Sequence, residues 1–158
     1  MGRRIDLLLK GHLSDDNDKQ QIIEMAAMEI KPAGVCLETE VIQLNKNVRV
    51  NKSILGCLRS HCGEYADDSL FTIGMDVIGL NGYLYVIKQF EDVVVATKAH
   101  DENMFLPADI DEIMDFMDSN TLDQLLNYMD EITSLYQKVK LSFKRFTPKR
   151  PTNKKSQE

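Results

Sequence analysis

The spacing of apolar residues changes character along the first half of the chain. Ile22, Ile23, Ala26, Ala27 and Ile30 recur at helical intervals. Ser14 and the acids from Asp15 to Asp18 precede them, side chains that suit the free N–H groups of a helix start. Lys31-Pro32-Ala33-Gly34 follows and would stop a helix. The pattern predicts an N-terminal helix over about 14–30. The shorter run from Ile5 to Leu13 fits either a short helix or a lead-in strand. From Val35 the period falls to two, with Val35, Leu37, Thr39 and Val41 on one side and Cys36, Glu38 and Glu40 on the other. That alternation predicts a strand, with a slip at Ile42 and Leu44, turn chemistry at 45–47 and a resumed strand at 48–50. Ser53 then opens a short helix carrying Ile54, Leu58, His61 and Tyr65.

The second half reads more sharply. Residues 70–98 alternate through three runs, "LFTIGMDVIGL", "YLYVIKQF" and "VVVATK". Asn81-Gly82 lies between the first two and Glu91-Asp92 between the last two. Asn-Gly accepts the positive φ of a type I′ turn, so a three-stranded antiparallel meander is expected. Beyond "FLPAD", Asp109 with Glu112 and Thr121 with Gln124 have capping-box spacing. They predict two helices, near 109–118 and 121–143, or one helix kinked at Ser119-Asn120. The last helix carries Leu122, Leu125, Met129, Ile132, Tyr136, Val139 and Phe143 at alternating steps of three and four. Such a seam is marginal for an isolated coiled coil and suits a helix lying across the sheet of its own domain.

Together these elements predict an α+β fold: an antiparallel sheet of about five to six strands, an N-terminal helix and a long C-terminal helical region. A single domain is expected over 1–146, since 158 residues suffice for one proper core. Residues 147–158 hold two prolines and almost no apolar groups, and are expected to form a disordered basic tail. No run approaches the length of a membrane span. The N-terminal Arg3-Arg4 and apolar run lack a cleavage site, and three cysteines point to free thiols, so a cytoplasmic protein is expected.

Charge is segregated. Residues 101–136 contain ten acids and no Lys or Arg, whereas 137–158 contain eight bases and one acid. An acidic body with a short basic end lacks the broad basic face of a nucleic-acid binder. The densest candidate for chemistry is Cys57, His61 and Cys62, with positions 57 and 61 one helical turn apart. A structural zinc site needs about four ligands. Cys36, His12 and His100 supply no second pair, so packing is the expected role of these side chains. No phosphate loop or nucleophile elbow is present, and the abundant carboxylates read as a solvated face. The expectation is a non-enzyme without metal or cofactor, binding neither nucleic acid nor membrane.

In size, acidity and element order the chain resembles the class I chaperones of bacterial type III secretion systems, chiefly at "SLFTIGMDVIGLNGYLYVIKQF" (69–90) and "LDQLLNYMDEITSLYQ" (122–137). That resemblance implies a small cytoplasmic homodimer that holds an unfolded segment of a protein client before export. It implies binding of extended chain by addition to a sheet edge, with apolar side chains taken into surface grooves. "VVVATK" (93–98) is the candidate strand, and Tyr83, Tyr85, Phe90, Val93 and Val95 are the candidate partner-binding residues. The alternatives are an immunity or inhibitor protein using its acidic face, or a subunit of a larger assembly docked through the last helix.

Overall fold

The computed structural model describes residues 5–14, 20–66 and 68–146. The acidic start assigned to residues 15–18 and the tail at 147–158 lie outside them. The class is α+β: a sheet of six strands with helices packed on it. Two strands open the chain, β1 (Leu7–Ser14) and β2 (Gln20–Lys31), paired antiparallel. A long helix, α1 (Leu37–Cys62), follows and ends in a single 3-10 turn at Gly63–Tyr65. The meander β3 (Phe71–Ile78), β4 (Asn81–Phe90) and β5 (Val93–Lys98) comes next, then the two-residue β6 (Met104–Phe105). Two helices close the fold, α2 (Ile113–Asp118) and α3 (Thr121–Phe146). The strands lie in the order β1-β2-β3-β4-β5, with β6 beside β4. β2 and β3 run parallel, joined through α1, so the sheet is mixed rather than purely antiparallel.

Two expected elements exchange identity. The segment expected to be the N-terminal helix is strand β2. Ile23, Met25 and Ala27 face one core and Ala26 and Met28 the other. A strand covered on both faces reads as a continuous apolar run, and here Ala, Met and Glu give it helical composition. The segment expected to be strands at 35–50 is the first half of α1. The alternating Leu37 and Val41 face solvent, Leu37 with 74% of its surface exposed. Over its first turns the helix buries Gln43, Asn47 and Asn51, one turn apart, and only later Ile54, Leu55, Leu58 and Cys62. A buried stripe made of amides leaves no hydrophobic period to read. Glu38 and Glu40 in its first turn and Arg59 and His61 in its last suit the macrodipole. Gly63 ends it at φ 57°, its N–H donating to the Arg59 carbonyl.

The meander forms as expected, with one shift. The first turn falls at Gly79-Leu80, where Gly79 takes φ 61°, and Asn81-Gly82 already belong to β4. Glycine at the first central position suits a type II′ turn. Gly82 is kept small for another reason, because a Cβ there would come within 3.0 Å of Met104.

The sheet has two covered faces. On one, α1 packs over β2, β3 and β4 through Ile54, Leu55, Leu58, Tyr85 and Ile87. On the other, the first half of α3 places Tyr128 and Ile132 on Met28, Ile73, Met75 and Leu84. The second half of α3 runs on to the α1 side, where Leu135 and Val139 join Leu13, Leu58 and Leu70. The last helix thus packs on its own domain, as expected from a seam too short for an isolated coiled coil. Its buried stripe is offset from the expected seam: Tyr128, Ile132, Leu135 and Val139 are covered, whereas Met129 is 55% exposed. Met129 is therefore no core position.

A polar seam holds the sheet together at its middle. β2 and β3 pair only over Met28–Lys31 and Met75–Ile78, and at the Met28–Met75 end of that ladder α1 supplies further partners. The Ala27 N–H donates to Asn51 Oδ1 at 2.9 Å, and Asn51 Nδ2 donates to the Ala27 carbonyl at 3.1 Å. Asn47 Nδ2 donates to the Met75 carbonyl at 2.9 Å. One carboxamide offers a donor and an acceptor side by side, as a peptide group does, so Asn51 stands in for a neighbouring strand.

Candidate functional site

Strand β5 is an outer edge of the sheet. It pairs with β4 alone, and among the described residues no strand lies against its far side. The Ala99 N–H donates to the Leu84 carbonyl. Because successive residues of a strand turn their backbone groups to opposite sides, Val93, Val95 and Thr97 also direct theirs to β4. Val94, Ala96 and Lys98 therefore present N–H and C=O groups outward. The segment is β-branched and nearly uncharged, with Phe90, Val93 and Val95 at 68%, 62% and 42% exposure.

Both faces beside this edge carry a cleft. On the α3 side, a cleft of about 430 Å³ has Phe71, Ile73, Leu84 and Val86 as its floor and Tyr128, Asp130 and Glu131 as its wall. Cross-strand rows extend that floor to the edge: Phe71 stands opposite Lys88, Lys88 opposite Val95, and Phe90 opposite Val93. On the α1 side, a cleft of about 550 Å³ lies between Leu44 and Val48 of the helix and Tyr83, Tyr85, Ala96 and Lys98 of the sheet.

The α1-side cleft backs onto buried charge. Glu29 and Asp76 are neighbours in the parallel register and both are fully buried. Lys46 holds the Glu29 carboxylate at 2.6 Å, and Lys31 lies 3.6 Å from it. Asp76 Oδ1 accepts from Gln43 Nε2 at 2.9 Å and Asn47 Nδ2 at 3.2 Å, and Oδ2 accepts from the Tyr83 hydroxyl at 3.4 Å. Burial pushes the Asp76 carboxyl above the usual range, with Glu29 adding in the same direction against the two amide bonds. Burial, and then the charge of Asp76, push the Tyr83 hydroxyl up to about 12. Tyr83 is thus a neutral donor at ordinary pH, fixed by Asp76 at the back of the cleft.

The five expected partner-binding residues divide between the faces. Phe90, Val93 and Val95 come together on the α3 side. Tyr83 and Tyr85 lie on the α1 side, where Tyr85 is only 3% exposed and its ring covers Gly74. Tyr85 is a core residue that floors the cleft. Leu44 and Val48 give no sequence signal as cleft walls because their segment alternates like a strand, and Phe71 and Val86 line the cleft on the α3 face. Cys57, His61 and Cys62 do not converge: Cys57 is exposed, Cys62 is buried, and His61 meets Phe143 edge to face. Among the described residues no group of three or more potential ligands could hold a metal, and no helix is long and apolar enough to cross a membrane.

No family model matches the chain, and neither the characterised proteins nor the solved structures compared with it include a match. Of the element order behind the resemblance to secretion chaperones, the late strands and last helix stand where expected, and the first half follows a different order.

Proposed function

We propose that this protein is a non-enzymatic binding module that holds an extended segment of a client protein along β5, as the resemblance to secretion chaperones implies. The observation that carries this reading is an open strand edge with an apolar cleft on each face. A strand added outside β5 takes hydrogen bonds from Val94, Ala96 and Lys98, and its alternate side chains turn to opposite faces. One set meets the stripe of Phe90, Val93, Val95 and Phe71, and the other meets Leu44, Val48 and the tyrosines. Backbone bonding supplies sequence-tolerant affinity and the clefts supply selection, which suits a holder of unfolded chain. The acidic wall at Asp130 and Glu131 favours a client with Lys or Arg beside its apolar residues.

The test is selection of extended peptides from a displayed library, followed by amide exchange in the bound state. The Val94, Ala96 and Lys98 amides should become protected, and Ala96→Pro should abolish binding with the fold intact. Selected peptides that bind and leave these three amides exchanging freely would overturn the reading.

A further inference from the structure

A hollow of about 350 Å³ adjoins the α3-side cleft at the start of α3, and His100 and Asn127 line both. Asp101, Glu102 and Asp123 wall the hollow. With Asp130 and Glu131 of the cleft, five carboxylates border this continuous groove, and no Lys or Arg lines it. Lys98 donates to the Asp101 carbonyl but lines the α1-side cleft instead. Asp123, Asn127 and Asp130 follow at steps of four and three along α3, so they share one face. Asn120 Nδ2 donates to Glu102 Oε2 at 2.7 Å, which orients that carboxylate without neutralising it. Two polar side chains of the groove are buried without a partner. Gln124 is 4% exposed, and its Oε1 meets no donor among the described residues. Tyr128 is 3% exposed, and its hydroxyl likewise has no partner there. Burial pushes that hydroxyl above its usual range, so it stays neutral. Buried polar groups of this kind call for a ligand or water to complete them.

The acids are too dispersed for one metal ion, since no group of three or more potential ligands among the described residues could hold one. They are strung along the groove instead. Asp123 and Asp130 lie two turns apart, about 10 Å along the helix. Phe71 and Leu84 give the cleft end an apolar floor. We propose that this groove binds a linear aliphatic polyamine, with its ammonium groups against Glu102, Asp123 and Asp130 and its methylenes on Phe71 and Leu84. Gln124 then gains the donor that its Oε1 lacks. A triamine with one propyl and one butyl spacer measures about 11 Å between its end nitrogens, from bonds of about 1.5 Å, and so matches the span of the acids. Exposed carboxylates give an affinity that falls with added salt. The ligand touches no outward backbone group of β5, so the site stands independently of the client reading.

Calorimetric titration with spermidine tests it, on the full chain and without any client. Spermidine should bind one to one, and butane-1,4-diamine, too short to span Asp123 and Asp130, should bind about tenfold more weakly. Asp123→Asn and Asp130→Asn should each weaken spermidine about fivefold, and Gln124→Leu should weaken it as well, with circular dichroism showing each variant folded. Asp115→Asn makes the same charge change on α2, outside the groove, and should leave the affinity unchanged. Ala96→Pro should also leave it unchanged, which separates failure of this site from failure of the client reading. Absence of spermidine binding at millimolar concentration overturns the proposal. So does equal weakening by Asp115→Asn, or equal affinity for the diamine and the triamine, since either marks diffuse attraction to an acidic surface.

Discussion

The two edges of this sheet are built to different rules. At β1 the edge is blunted. A bulge interrupts the register between Leu9 and Lys10. The Tyr136 hydroxyl donates to the His12 carbonyl at 2.6 Å, and the Tyr136 ring lies so close over Gly11 that a Cβ there would come within 2.7 Å of it. The Lys140 amine sits 5.6 Å from the centre of that ring. Bulges, charges and covering side chains are the usual devices against edge-to-edge association. At β5 the register is unbroken and no ring covers the far side among the described residues, its one charged residue is Lys98 at the strand's end, and Val93 and Val95 are exposed. Within one sheet, one edge is protected from strand addition and the other is left open to it, which is why binding is proposed at β5.

Proline substitution separates the two sides of β5 most strongly. Val95→Pro removes an N–H directed at β4 and should cost on the order of 3 kcal/mol in urea unfolding. Ala96→Pro removes only an outward N–H and should stay within about 1 kcal/mol of wild type. Equal destabilisation by both would refute the assignment of the outer edge. The next effect is at the other margin. Tyr136→Ala removes a half-buried ring and the cover on His12, and should cost about 2–3 kcal/mol. It should also make the protein associate through β1, seen as self-association in sedimentation beyond that of wild type. No change in association would mean that the bulge alone protects that edge. The smallest effect lies midway between the margins, at Asp76. Its carboxyl titrates higher in the folded than in the unfolded chain, so the folded state binds more protons just above the ordinary value. Stability therefore falls as pH rises through that window and stays lowered above it. Asp76→Asn keeps the acceptor facing Gln43 and Asn47 and should flatten the dependence of the thermal midpoint on pH. An unchanged slope would place the titration elsewhere.

The strand at the open edge was legible in the sequence, though not its place at an edge, and neither strand of the closed side was, for a physical reason. Residues 70–98 alternate because each face of the meander differs in depth, and Gly79 and Glu91 mark turns that local chemistry sets. Even there Asn81-Gly82 misplaced one turn by two residues, since Gly82 answers to Met104 across the sheet. β2 and α1 are determined by distant partners instead. Ala26 and Ala27 have helical propensity but lie between two layers, and Gln43, Asn47 and Asn51 look like loop residues until β2 and β3 are brought beneath them. The strands carrying Val93, Val95 and Phe90 were recoverable from pattern, and their candidacy as binding residues came from the resemblance. The cleft walls at Leu44 and Val48 required knowing that α1 is a helix.

The amide stripe of α1 also bears on how the chain folds. The β1-β2 pair and the β3-β4-β5 meander are local antiparallel units whose contacts span few residues, and such contacts form early. What joins them is a four-residue parallel ladder, the carboxamides of Asn47 and Asn51 and the two apolar cores under α1 and α3, all between segments far apart in sequence. This weld is expected to close last. Truncating Asn51 should then accelerate unfolding and leave the refolding rate nearly unchanged, a chevron displaced along one limb only. On that expectation the chain folds as two preformed sheets that wait for a helix to join them.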